Sequence, residues 1–116
     1  MKVAVDIDGT ITKWPAACLA IMTAFPDSVI LTGYSGRQPV AYEKLLQERI
    51  AQLTPIIGVP QRLIHICVGR SISHIAELKG QYCRDNHIDL LIDDHDEYCA
   101  AVRKLSPKTA VWKALR

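Results

Sequence analysis

Short apolar runs that break off at acidic or glycine residues alternate along this chain with longer segments of helical periodicity. Residues 2–7 form the first run, and it stops at acidic side chains and Gly9, as a strand buried on both faces of a parallel sheet does. Pro15 can open a helix that continues over 16–24 on alanine and long apolar side chains, until Phe25, Pro26 and Asp27 end it. A second run over 28–32 stops at Gly33, and an amphipathic segment follows over about 39–53. A connection containing Pro55, Gly58 and Pro60 leads to a third strand over 63–68. Gly69, Arg70 and Ser71 read as loop, and a short helix is expected from about 77 to 86. A fourth strand over 89–92 runs into Asp93 and Asp94; a helix over about 97–105, stopped by Ser106 and Pro107, and a last strand over 109–112 complete the pattern.

Strand then helix, repeated, implies an α/β fold of the three-layer, Rossmann-like kind: a central parallel sheet of five strands, helices on both faces and right-handed crossovers. At 116 residues and 49% hydrophobic, the chain can bury one core, so a single domain over 1–116 is expected. The formal charge is +2 with Lys and Arg scattered, which is no footprint of obligatory nucleic-acid binding, although a local basic groove fits it. The cysteines, Cys18, Cys67, Cys83 and Cys99, form no C-x-x-C pair and suggest neither a zinc site nor a disulfide framework. Reduced thiols and an N-terminus that is neither signal peptide nor membrane span lead us to expect a cytoplasmic protein with no membrane partner.

In such sheets ligands bind outside the carboxyl ends of the strands, near the point where strand order reverses. The chemistry-bearing residues fall there: Asp6, Asp8, Gly9 and Thr10 after the first strand, Thr32 and Gly33 after the second, Asp93 and Asp94 after the fourth. If the first and fourth strands are neighbours, the carboxylates share one crevice and repel one another unless a cation is bound; hard oxygen ligands suit Mg2+. With the metal neutralising phosphoryl oxygens, Asp6 can attack phosphorus and form an aspartyl phosphate. Asp8, on the same face if strand geometry persists, can protonate the leaving oxygen and then deprotonate the hydrolytic water. Gly9 lets backbone amides approach the phosphate, Thr32 and Gly33 can donate to it, and Lys79 at the start of the helix before the fourth strand completes the cradle, helped by the helix dipole.

These residues resemble the haloacid dehalogenase (HAD)-like superfamily. Asp6-Ile7-Asp8-Gly9-Thr10 is similar to its first motif, Val29-Ile30-Leu31-Thr32-Gly33 to its second, Lys79 to its third and Leu91-Ile92-Asp93-Asp94 to its fourth, so that the likeness covers residues 3 to 94. It implies that Asp6 is nucleophile and metal ligand, that Asp8 is acid/base and binds metal through its carbonyl, that Thr32 and Lys79 bind the phosphoryl group, and that Asp94 completes the metal shell beside Asp93. Arg70 is the alternative to Lys79. Family members often carry a cap domain; residues 11–31 hold room for a turn and one helix only, and 34–78 for a helix, a strand and connections, so a capless form is expected. An uncovered site can take the end of a large substrate or be covered by a second copy in a homo-oligomer. The stretch 29–37 together with 89–94 is similar to polynucleotide kinase phosphatases and small nucleotidases, which implies a nucleotide or nucleic-acid terminal phosphate as substrate.

Each feature also has a plainer reading. A lone D-x-D caps a turn, Thr32-Gly33 alone is an ordinary strand exit, and Asp93-Asp94 can cap the next helix. His65, His74 and His87 read as surface or structural residues, and only His95, beside Asp94, is placed to touch substrate. Tyr34, Ser35 and Arg37 read as loop beyond Gly33, Trp14 as packing or as closure of the site, and Trp112 as core or edge packing. Two rival functions remain open: a binding module that holds a phosphate or partner without catalysis, and phosphoryl transfer to an acceptor other than water.

Overall fold

A computed structural model of the chain describes residues 1–36, 38–58 and 63–115; Arg37 and Pro60 lie outside the described residues. The elements are β1 (Val3–Val5), α1 (Pro15–Ala24), β2 (Val29–Ser35), α2 (Tyr42–Ile57), β3 (Leu63–Gly69), α3 (Ile72–Asp85), β4 (Leu90–Asp93), α4 (Asp96–Leu105) and β5 (Ala110–Lys113). All neighbouring strands pair in parallel, in the order β3-β2-β1-β4-β5. The expected three-layer α/β architecture is therefore present.

Side-chain alternation along the strands divides the core into two layers. Val3, Val5, Ile30, Ile64 and Ile92 face Cys18 and Met22 of α1 and Leu45 and Leu53 of α2. Ala4, Val29, Leu31, Cys67 and Leu91 face Ile75 and Cys83 of α3 and Val102 of α4. Each large apolar side chain so buried contributes roughly 1.5–3 kcal/mol.

From β1 the chain steps outward through β2 to β3, and α3 then carries it back across the sheet to β4 on the other side of β1. Strand order thus reverses between β1 and β4, and the crevice at their carboxyl ends is where such a sheet accepts a ligand.

Several boundaries differ from the pattern. β1 ends at Val5 rather than at residue 7, although the Asp6 amide still donates to the Ile92 carbonyl at 3.0 Å. β2 continues to Ser35 because it pairs with β3 over the whole register from Val29↔Leu63 to Ser35↔Gly69. Thr32 and Gly33 therefore lie within the strand, and Tyr34 and Ser35 are strand rather than loop. Pro55 is inside the last turn of α2, not in the connection; near a helix end a proline removes a single bond, and Gly58, at φ 79°, closes the helix. α3 starts at Ile72 instead of about 77, because the Ser71 side chain accepts from the His74 amide and caps it. Among the described residues no helix is long and apolar enough to cross a membrane.

Candidate active site

Asp6 continues the parity of Ala4 and Asp93 that of Leu91, so both carboxylates emerge on the face covered by α3 and α4. There they meet Lys79, whose side chain is fully buried. Its Nζ donates to Asp6 Oδ1 at 3.0 Å and to Asp93 Oδ2 at 2.7 Å, and lies 4.4 Å from the centroid of the Tyr98 ring. Lys79 sits near the middle of α3, not at its start, so the helix dipole does not contribute there and direct ion pairing does all the work. Burial alone would lower the Lys79 ammonium, but the charges of Asp6 and Asp93 outweigh it and hold it above its ordinary value. Burial pushes the Asp6 carboxyl up to about 7, against the pull of Lys79 and with the help of Asp93.

The chain then leaves β1 through a wide turn over Ile7–Ile11, in which the Ile11 amide donates to the Asp6 carbonyl and the Thr12 amide to the Ile7 carbonyl. Asp8 and Gly9 interrupt the turn with non-helical backbone angles, Gly9 at φ 78°. A Cβ at Gly9 would stand 2.2 Å from Asp94 Oδ2, so glycine is required both for the backbone angle and for the approach of Asp94. The Thr10 hydroxyl donates to Asp94 Oδ1 at 3.3 Å. The Gly9 amide, expected to face a phosphate, donates instead to Thr12 Oγ1 at 2.9 Å.

Asp6, Asp8, Gly9, Thr32, Gly33 and Asp94 line an open cavity of about 350 Å³, completed by His95 and Tyr98 from the start of α4. All the predicted site residues except Lys79 and Asp93, both fully buried, reach it. Lys79 stands behind Asp6 and does not line the cavity; Arg70 is exposed beyond β3. Asp8 is on the wall, but strand alternation does not place it there, since the strand has already ended. Its side chain is 62% exposed and turned toward α2, where Arg49 and Gln52 bind it. Gly33 has a packing reason for being glycine: a Cβ there would meet Ile75 at 2.6 Å.

His95 flanks α4, donates its backbone amide to Asp93 Oδ1 at 3.0 Å and stacks on Tyr98 with 3.9 Å between ring centroids. Trp14 is half-exposed and donates its indole N–H to the Leu115 carbonyl, and Trp112 is exposed on the edge strand β5. Sequence reasoning missed Tyr98, Arg49 and Gln52. Tyr98 lies four residues past Asp94, hence one turn along α4 from the crevice; Arg49 and Gln52 look like any solvated helix face.

Asp6, Asp93 and Asp94 each offer a carboxylate oxygen, all within 4.8 Å of one another. Three carboxylates against one ammonium leave excess negative charge, and hard oxygen donors suit a hard divalent cation. Both oxygens of Asp93 are already engaged, by Lys79 and by the His95 amide, and Asp93 does not line the cavity, whereas Asp6 and Asp94 do and are the pair better placed to hold it. Comparison with protein-family models, curated proteins and solved structures finds no match for the chain.

Proposed function

We propose that the chain is a magnesium-dependent phosphomonoester hydrolase that works through an aspartyl phosphate on Asp6. The observation that carries this reading is the buried Asp6–Lys79–Asp93 arrangement with Asp94 beside it, opening on a cavity at the strand-order reversal. A non-catalytic phosphate binder has no use for a buried carboxylate facing an anionic ligand, whereas a nucleophile has. Bound magnesium would supply charge neutralisation at the phosphoryl oxygens.

Lys79 engages one oxygen of Asp6, keeps its side chain in one orientation and offsets its charge. The Asp6 carboxylate forms a bond to phosphorus as the bond to the leaving oxygen breaks, and Asp8, on the same cavity wall, gives that oxygen its proton. Water then attacks the aspartyl phosphate, its proton passes to Asp8, and Asp6 is released as a carboxylate with inorganic phosphate as the product. The cavity is open, so the body of a substrate whose phosphate sits in it can extend into solvent. That suits the end of a larger substrate, and a nucleotide or nucleic-acid terminal phosphate is the class we assign to it.

Phosphate release from 4-nitrophenyl phosphate, with and without magnesium, tests the reading. We expect metal-dependent release that falls by about a thousandfold or more in Asp6→Asn. Equal release by that variant, with its fold retained by circular dichroism, would remove Asp6 as nucleophile; binding of phosphate without any turnover would favour the binding module.

A further inference from the structure

We propose that Arg49 and Gln52 of α2 are positioning residues that aim the Asp8 carboxylate at the hydrolytic water; the inference rests on the phosphatase reading above. Each oxygen of Asp8 takes a donor from that helix, Arg49 Nη1 at 3.0 Å from Oδ2 and Gln52 Nε2 at 2.9 Å from Oδ1. Their spacing of three residues puts the two side chains on one helix face.

The donors are themselves held. Arg49 Nη1 also donates to Gln52 Oε1 at 2.8 Å, which turns the amide so that its NH2 group meets Asp8, and Arg49 Nη2 donates to the Gly33 carbonyl at 2.9 Å. One guanidinium therefore ties together the turn after β1, strand β2 and helix α2. An ion pair whose carboxylate is 62% exposed is worth only about 0–1 kcal/mol, so stability gives little reason for this arrangement. Position gives a better one. Asp8 lies in a turn of irregular backbone, at φ −70° and ψ 122°, where no strand partner orients it. Without α2 its carboxylate would be a mobile surface group on the cavity wall.

Asp8 serves both half-reactions, and a nitrophenyl substrate isolates the second. A carboxylate has about four lone-pair sites, so with one donor on each oxygen Asp8 keeps acceptor capacity for the water proton. Accepting a proton is what the second half-reaction asks: the water oxygen bonds to phosphorus, the bond from phosphorus to Asp6 breaks, and the water proton goes to Asp8. In the first half-reaction a nitrophenolate leaves as the anion and asks for no proton.

The test uses the full chain with magnesium and 4-nitrophenyl phosphate, comparing wild type, Arg49→Ala and Gln52→Ala. It reads kcat, KM and the fraction of acid-quenched protein that carries a covalent phosphoryl group by intact mass. We expect kcat to fall about tenfold in Arg49→Ala, and less in Gln52→Ala, with phosphoprotein accumulating above the wild-type level. KM should fall in step, so that kcat/KM stays within about twofold. Loss of fold would instead lower kcat at constant KM with no phosphoprotein, and that pattern in both variants overturns the proposal. So does an unchanged kcat in both. Turnover in wild type with either of those outcomes defeats the positioning role alone, whereas no turnover in wild type defeats it together with the phosphatase reading.

Discussion

Removing the Lys79 side chain would leave Asp6 and Asp93, both buried, without their counter-charge. Lys79→Met should therefore cost about 3–5 kcal/mol of stability by urea unfolding at pH 7, and less at pH 5, where the carboxyls can take up protons. Asp6 supplies a second signature. Its folded value of about 7 lies above its ordinary 3.8, so the native state holds a proton that the unfolded chain has lost. Metal-free protein should consequently lose stability as the pH rises from 4 toward 7, and magnesium should reverse that loss; Tm measured across this range in chelator and in magnesium checks the sign. Gly9→Ala brings a Cβ into Asp94 and puts a side chain at φ 78°. We expect Asp94 to give way, with divalent-ion affinity falling about tenfold or more by calorimetric titration while the protein stays folded.

At the scale of elements, the strands were legible because apolar runs in a doubly covered parallel sheet are nearly continuous, and all five appear within a few residues of their expected positions. The helices were less so. α3 carries a serine, a histidine and a glutamate in its first turns, which hid a start set by the Ser71 cap. That late start misplaced Lys79 at a helix end and lent it a dipole it does not have. Ser71→Ala should destabilise the protein by about 1 kcal/mol, measured by thermal unfolding. The α3–α4 contact depends on Gly80, where a Cβ would meet Leu105 at 2.7 Å and the Ala101 carbonyl at 3.1 Å. Gly80→Leu should push the two helices apart and cost about 1–3 kcal/mol. Because Lys79 is on one of these helices and Tyr98 on the other, the same substitution should also reduce phosphate release.

Across the whole molecule, the fold brings residues from both ends of the chain together because strand order reverses beside β1. That convergence could be read from the positions of Asp6 and Asp93-Asp94 at the ends of apolar runs, once the first and fourth strands were taken as neighbours. Which carboxylate binds Lys79 and which faces the cavity could not, since adjacent aspartates differ only in the direction that strand alternation gives them. Nor could the hold on Asp8, whose partners come from a helix 41 residues away. The central claim is covalent phosphorylation of Asp6, and the direct measurement is to quench the protein in acid during turnover with magnesium and locate the phosphoryl group by peptide mass spectrometry. The account predicts a single phosphoryl group on Asp6, labile to base and to hydroxylamine as an acyl phosphate is; a phosphoryl group on any other residue would contradict it.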